Sequence, residues 1–196
     1  MTTSEQTQTQ APTEAVQPSG VNHLVLNVKD LERSHRFWTE IIGFKQVGQS
    51  RPESPFQMRF YAGSDGSRHH DLALAQIVNP NQVPDPAEPW SMRGQAPGVN
   101  HVAIKYPDRE SWLRQLAFLQ SRGVTFHSRV EHGMTHSVYI SDPDGHGIEV
   151  LYELPQEVWE DDIASALIWA RRLPTEGPEA LEDSTDYTVF GKERSD

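Results

Sequence analysis

Two histidines stand at the heads of matching apolar segments. His23 follows Gly-Val-Asn and precedes Leu-Val-Leu, and His101, 78 residues further on, follows the same Gly-Val-Asn and precedes Val-Ala-Ile. Short apolar segments with β-branched residues are typical of buried strands. A lone histidine in such a place is more often structural than functional, but here a metal-binding side chain recurs at one position of a repeat. The recurrence favours a shared functional role.

A carboxylate is the third candidate ligand, beside the two histidines. Residues 142–150 read Asp-Pro-Asp-Gly-His-Gly-Ile-Glu-Val, which predicts a tight turn followed by a strand that carries Glu149. Because side chains alternate between the two faces of a strand, His23 and His101 can point into one concavity that Glu149 reaches. Two imidazoles and one carboxylate form the facial triad that binds non-haem iron(II) and leaves positions open. We therefore predict one metal centre, formed by His23, His101 and Glu149.

Two features of the sequence limit the number and the kind of metal ion. When residues 147–149 are aligned with residues 70–72, Leu72 takes the position of Glu149, so the first repeat lacks a carboxylate. The chain also has no cysteine. Any metal must therefore be held by imidazole and carboxylate groups, which favours iron(II), manganese(II), nickel or zinc.

Charge is unevenly distributed along the 196 residues. The net charge is −11, of which −8 lies in residues 153–196 and −2 in residues 1–20. This distribution leaves no basic patch for nucleic acid or for an anionic membrane surface. No apolar run reaches the ~20 residues of a membrane-spanning helix, and the N-terminal residues do not read as a signal peptide. We expect a cytoplasmic protein with a small-molecule partner.

The repeat extends to the secondary structure. Residues 20–78 and 98–153 each predict a strand, a helix that begins after an aspartate, and three further strands. In the second module the strand after the helix is predicted at Val124–Arg129. The expected fold class is α+β, with two tandem βαβββ modules forming a curved mixed sheet around a metal site. Residues 79–97 contain five prolines and predict a linker long enough to fold over part of the protein.

The two ends of the chain differ in what they predict. Residues 1–19 are polar, which predicts a disordered tail. Residues 154–196 predict a C-terminal helix, Trp159–Arg172, followed by an acidic tail. Two aromatic residues in that tail, Tyr187 and Phe190, indicate that part of it contacts the core.

These segments resemble the vicinal-oxygen-chelate superfamily over residues 20–153. The superfamily includes glyoxalase I, fosfomycin-resistance transferases and type I extradiol ring-cleaving dioxygenases. The Asp-Pro-Asp-Gly-His-x-Ile-Glu segment carries the resemblance to the superfamily. The His-Asp-x-Ala segment that begins at His70, and the segment from His132 to Tyr139, are similar to segments of the extradiol enzymes. One departure is that the classical enzymes carry an additional N-terminal pair of modules that this sequence lacks, so we expect a one-domain form.

The resemblance also implies roles for individual residues. The residues that would ligate iron(II), with manganese(II) as the alternative, are His23, His101 and Glu149. His70 would be the acid–base residue beside bound oxygen. His132 and Tyr139 would hold the oxygens of a catechol, with His136 as a rival for the role of His132.

The implied function is extradiol cleavage, in which O2 is inserted into a catechol beside its two hydroxyl groups. Two alternatives stay open. One is another metal-dependent enzyme of the superfamily, either a fosfomycin-type thiol transferase or a glyoxalase-like isomerase. The other is a metal-free protein that binds and sequesters a ligand. Open curved sheets of this kind often pair, so a homodimer is also expected, and the residues do not identify the catechol.

Overall fold

The computed structural model describes residues 17–63, 69–86, 89–93 and 97–191. The predicted disordered tail lies outside these ranges except for residues 17–19, which are exposed and have no regular secondary structure. The described residues contain three α-helices and nine strands, arranged as the α+β class that the sequence predicted. Their hydrogen bonds join the strands as two sheets, one for each module, where a single curved sheet was expected.

The first module has the predicted order of one strand, one helix and three strands. Its helix α1 spans Leu31–Arg36, and Asp30 caps it by accepting hydrogen bonds from the backbone N–H groups of Glu32 and Arg33. A π-helical turn at Phe37–Ile41 follows. The strands are β1 (Leu24–Val28), β2 (Lys45–Gln49), β3 (Met58–Ala62) and β4 (Leu72–Gln76). They form a sheet in the order β1-β4-β3-β2, in which β1 and β4 are parallel.

The second module repeats this plan and gains a strand. Its helix α2 spans Arg109–Ser121 and is capped by Asp108. The strands are β5 (His101–Lys105), β6 (Ser128–His132), β7 (Thr135–Ser141), β8 (Gly147–Glu153) and β9 (Ala170–Leu173). They are ordered β5-β8-β7-β6-β9, with β5 and β8 parallel. The strand predicted at Val124–Arg129 begins only at Ser128, because residues 124–127 form the connection from the helix to the sheet.

The predicted helix Trp159–Arg172 is wrong over most of its length. The segment contains one 3-10 turn, Glu160–Asp162, and a short helix, α3, at Ile163–Ile168, and then continues into β9. β9 pairs antiparallel with β6, whose edge offers backbone groups that a longer helix would leave unpaired. The apolar side of the segment is also not fully buried, since Leu167 is 65% exposed and Ile168 is 85% exposed. Strand pairing therefore overrides the helical pattern here.

Each sheet has a helix-covered face and an open face. In β1, Leu26 is buried, whereas its neighbour Val25 is 44% exposed. Residues that pair across neighbouring strands lie on the same face of a sheet. Ala103, Glu149 and Tyr139 are paired in this way across β5, β8 and β7, so they share the open face of the second module.

One hydrophobic core runs through both modules. It contains Trp38 from the first module and Trp112 from the second, and both side chains are fully buried. Tyr106 also joins the modules, because its hydroxyl donates to the backbone carbonyl of Ile42 at 2.7 Å. No helix within the described ranges has the length and apolar character needed to cross a membrane.

Asp144 fixes the turn between β7 and β8 against the first module. Its carboxylate accepts hydrogen bonds from the backbone N–H of Lys29 at 3.2 Å, from Arg33 Nη2 at 3.0 Å and from Ser34 Oγ at 2.9 Å. The Asp-Pro-Asp-Gly turn is therefore held by α1 and by the residue that follows β1. This contact sets the start of β8, the strand that carries Glu149.

Candidate metal centre

The predicted ligands His101 and Glu149 face each other on the open face of the second module. They lie on the neighbouring parallel strands β5 and β8. His101 Nε2 is 3.0 Å from Glu149 Oε2. Two donor atoms at this separation fit adjacent positions around one ion with ligand bonds of about 2.1 Å.

Glu149 is held in its charged form. Only 6% of the residue is exposed, and burial by itself would raise the pKa of its carboxyl group. Hydrogen bonds from His101, Ser137 and Tyr139 outweigh burial, and the pKa is lowered. A buried carboxylate that faces an imidazole has the donor chemistry of a divalent metal ligand, so these two residues fit the predicted ion.

Tyr139 connects Glu149 to His132. The hydroxyl of Tyr139 donates to Glu149 Oε1 at 3.0 Å and lies 3.1 Å from His132 Nε2. Burial, followed by the charge of Glu149, raises the pKa of Tyr139, and burial is the main cause that lowers the pKa of His132. At neutral pH the tyrosine therefore keeps its proton and His132 is uncharged. The pair places a hydrogen-bond donor and an acceptor beside the two predicted ligands.

The two faces of the sheet distinguish His132 from its rival His136. His136 is three residues from Tyr139 on β7, so it points to the opposite, helix-covered face. There its Nδ1 lies 2.7 Å from Asp183 Oδ1. His132 is therefore the histidine of this segment that reaches the open face.

The neighbours of His136 form a separate cluster of charged groups. Within the described residues, Glu131, His136 and Asp183 are the one group of three whose potential ligand atoms all lie within 4.8 Å of one another. Arginine side chains already pair with both carboxylates, Arg171 with Glu131 and Arg109 with Asp183. This neutralisation leaves little attraction for a cation, so we assign the cluster a structural role.

His23 and His70 lie together in the first module. Their ring centroids are 4.5 Å apart, and the ring of His69 is 4.4 Å from that of His70. Burial, followed by the charges of His69 and His23, lowers the pKa of His70, so its imidazole is uncharged at neutral pH. His23 is exposed and directly precedes β1.

The structure divides the six predicted site residues into two groups. His101, Glu149, Tyr139 and His132 form one connected set, and His23 lies with His70. The potential ligand atoms of His23, His101 and Glu149 do not all lie within 4.8 Å of one another. The three-ligand centre stays a prediction.

Strand pairing corrects the residue that replaces the carboxylate in the first repeat. Val25 and Ala103 each lie two residues after the repeated histidine. Val25 pairs with Ala73, just as Ala103 pairs with Glu149. Ala73, and not Leu72, therefore occupies the position of Glu149. Alanine offers no metal ligand, so this correction leaves the prediction of a single centre unchanged.

Trp90 is a site residue that the sequence reasoning missed. Its indole lies nearly parallel to the ring of Tyr139, with an angle of 9° and a centroid distance of 5.3 Å, and meets His101 edge to face at 6.1 Å. Gly147 makes room for it, because a Cβ at that position would lie 2.1 Å from Trp90 Nε1. The available signal was a single large aromatic residue in a polar, proline-rich linker. The linker thus folds over the open face of the second module.

A cavity lies beside the linker. Its volume is about 500 Å³, within the range of small-molecule sites. Apolar and aromatic side chains form much of its lining, together with one histidine: Phe37, Pro86, Pro89, Trp90, Val124 and His127.

Comparison with known proteins identifies the family. The model of the Glyoxalase/Bleomycin resistance protein/Dioxygenase superfamily matches residues 20–150. The chain therefore belongs to this superfamily. A crystal structure of a glyoxylase/bleomycin resistance protein/dioxygenase domain from Frankia sp. EAN1pec has the same fold, with a TM-score of 0.56 and 20% sequence identity over 70% of this chain and 100% of that one.

Two curated relatives have different activities. The chain is 29% identical over 142 residues to a catechol-2,3-dioxygenase of Bacillus subtilis (strain 168), covering 72% of this chain and 44% of the relative. It is also 29% identical over 150 residues to a lactoylglutathione lyase of Pseudomonas putida, covering 68% of this chain and 85% of the relative. The chain thus spans less than half of the dioxygenase and most of the lyase.

Proposed function

We propose that the protein is an extradiol ring-cleaving dioxygenase that inserts O2 into a catechol beside its two hydroxyl groups. The observation that carries this proposal is the hydrogen-bonded series His132–Tyr139–Glu149–His101 on one open face. A metal-ligand pair alone would suit any metal-dependent member of the superfamily. His132 and Tyr139, which adjoin this pair, could hydrogen-bond to a substrate that presents hydroxyl groups beside the metal.

The predicted centre would be held by His23, His101 and Glu149, with iron(II) as the expected ion and manganese(II) as the alternative. Bound iron(II) would chelate both catechol oxygens, lower the pKa of the bound hydroxyl groups and bring O2 to the same place. Both atoms of O2 end in the ring-opened product, so no further reductant is needed.

The chain's own residues would position the substrate and move protons. Tyr139 Oη lies between His132 Nε2 and Glu149 Oε1, so a substrate oxygen that reached this group would meet a donor and an acceptor. His70 is uncharged at neutral pH and can take up a proton from the substrate and return it, which is the behaviour of a general acid–base residue. The cavity beside Trp90 has none of the predicted site residues in its lining, so we assign it no role in holding the catechol. We assign these roles to the module pair 20–153 and a supporting role to residues 154–196.

Oxygen uptake tests the proposal directly. The protein is reconstituted anaerobically with iron(II), and catechol or 2,3-dihydroxybiphenyl is added in air while oxygen and visible absorbance are recorded. We expect oxygen consumption with a yellow product, and we expect His101→Ala to abolish both. The control is His35→Gln, which changes a histidine of α1 that contacts Tyr61 and should retain activity. Stoichiometric iron binding without turnover of any catechol would reject the dioxygenase assignment.

A glyoxalase-like lyase is the second candidate, and one observation favours it. The chain covers 85% of the Pseudomonas putida lyase but 44% of the Bacillus subtilis dioxygenase. Assays for the formation of lactoylglutathione, with nickel, zinc or manganese in place of iron, distinguish the two. Lyase activity without oxygen uptake would favour this second assignment.

A further inference from the structure

An asparagine precedes the repeated histidine in both modules, and in both it contacts the imidazole. His23 Nδ1 lies 2.8 Å from Asn22 Oδ1, and His101 Nδ1 lies 2.8 Å from Asn100 Oδ1. The same contact at equivalent positions of two modules indicates a common purpose. A histidine that binds a metal through one ring nitrogen commonly donates from the other, which fixes its tautomer and its orientation.

The second module shows which way the hydrogen bond runs. Asn100 Nδ2 donates to the backbone carbonyl of Met92 at 2.9 Å. The opposite amide orientation would place two carbonyl oxygens against each other, so Oδ1 must face the ring of His101. Since Oδ1 can only accept, Nδ1 of His101 carries a proton. The other ring nitrogen, Nε2, faces Glu149 Oε2 at 3.0 Å and is the atom that a metal ion would bind.

The linker holds the backbone of Asn100 as well as its side chain. Trp90 Nε1 donates to the carbonyl of Asn100 at 2.6 Å. The same indole packs on Tyr139 and His101. Two linker residues, Trp90 and Met92, therefore fix the residue next to a predicted ligand. The linker and the open face form one connected structure at this point.

We propose that Asn100 is a positioning residue, which holds the ring of His101 with Nε2 toward Glu149 and joins the linker around Trp90 to the predicted metal centre. This inference rests on the proposed function for its purpose, since a metal ion is what Nε2 would bind. The orientation of the ring can nevertheless be measured without metal. The positioning role of Asn100 and the proposed function can therefore be rejected independently of each other.

Two substitutions separate the two hydrogen bonds of the Asn100 side chain. Asn100→Ala removes both. Asn100→Asp keeps an acceptor for His101 but loses the donor to Met92. Asn81→Ala, at an exposed asparagine of the same linker, is the matched control. Circular dichroism confirms folding of each variant.

Three measurements are made on each variant. Nitrogen-15 NMR of the metal-free protein reports the hydrogen-bonded Nδ1–H signal of His101. Titration with Mn(II) gives the affinity for the metal alone. The indole N–H signal of Trp90, assigned with Trp90→Phe, reports the linker.

Asn100→Ala should lose the hydrogen-bonded Nδ1–H signal of His101 and bind Mn(II) about 10–100-fold more weakly than the wild type. Asn100→Asp should keep this signal and bind Mn(II) at least as tightly as the wild type, while the Trp90 signal shifts. Asn81→Ala should match the wild type throughout. An unchanged Nδ1–H signal of His101 in Asn100→Ala would overturn the inference. A wild-type protein that binds no Mn(II) or iron(II) would instead reject the proposed function, and the Nδ1–H measurement would still decide the role of Asn100.

Discussion

The indole of Trp90 lies on the phenol ring of Tyr139, with the two planes 9° apart. Trp90 comes from the linker between the modules, and Tyr139 from the middle of the second sheet. Their contact places a residue outside both repeats directly over the predicted ligands of the second module. Access to Glu149 and His101 from this side is therefore limited in part by the linker.

Gly147→Ala should displace Trp90. A Cβ at this position would lie 2.1 Å from Trp90 Nε1, and the indole is held by Tyr139 and by the carbonyl of Asn100, so the added methyl has no free space. We expect a shift of the Trp90 indole signal and a loss of about 1–3 kcal/mol in the free energy of unfolding. Gly98→Ala is the control, because a Cβ there would meet nothing within 4 Å. Equal effects of the two substitutions would show that Trp90 does not occupy this position.

Glu149→Gln should abolish tight metal binding. The substitution keeps the shape of the side chain and its ability to accept from Tyr139, but removes the charge that the lowered pKa maintains. We expect the Mn(II) affinity to fall by more than about 100-fold, beyond the usual effect of changing a residue that only supports a ligand. Mn(II) titration followed by electron paramagnetic resonance measures it. Glu153→Gln, an exposed change on the same strand, should bind like the wild type, and a similar loss in both would exclude Glu149 as a specific ligand.

Asp183→Asn should strongly destabilise the fold. The side chain of Asp183 is fully buried and pairs with His136 and Arg109, and its Oδ1 lies 3.7 Å from Nη2 of the buried Arg129. Removing its charge leaves the buried guanidinium of Arg129 without its carboxylate partner, which costs about 3–5 kcal/mol. Urea unfolding gives the value. The adjacent substitution Glu182→Gln leaves the backbone carbonyl that Arg129 binds in place and should change stability little.

The contact between His146 and Asp142 should make stability depend on pH. The hydrogen bond to Asp142 is the main cause that raises the pKa of His146 above 6.5. A raised pKa means that the folded state binds the proton more tightly. The stabilisation is therefore fully present below the unfolded-state pKa and is lost as pH rises through the folded-state pKa. Urea unfolding of wild type and His146→Gln across this range should show a difference that is largest at acidic pH, whereas a difference independent of pH would contradict the assignment.

Local signals in the sequence were sufficient for most of the architecture. Asp30 and Asp108 cap the helices that follow them, as their positions before the helical segments predicted. The repeated histidine segments lead into parallel strand pairs of the same kind, β1 with β4 and β5 with β8. Tyr187 and Phe190 contact the rest of the protein, as their aromatic character indicated. These features depend on neighbours in sequence or on the repeat itself.

Features that depend on distant partners could not be predicted in the same way. β9 exists because β6 offers an unpaired edge, which the apolar spacing of Trp159–Arg172 does not reveal. Trp90 reaches its site through contacts with the ring of Tyr139, in the second sheet, and with the backbone of Asn100, and the linker's own local pattern reveals neither contact. The residue of the first module that corresponds to Glu149 is Ala73 and not Leu72. This assignment depends on strand register, which an alignment of the turns in the sequence does not determine.

Two of the edge strands, β9 and β2, have features that discourage the pairing of a further strand, and these features differ. β9 ends the second sheet with Arg171 and Arg172, and charged residues on an edge discourage the addition of another strand. β2 ends the first sheet, and a bulge between Gln46 and Gly48 interrupts its pairing pattern. Among the described strands, the edges that remain regular are β1 and β5, the two that begin beside His23 and at His101. A second copy of the chain that added to either sheet by backbone pairing would therefore be directed to the candidate site and away from the outer rims.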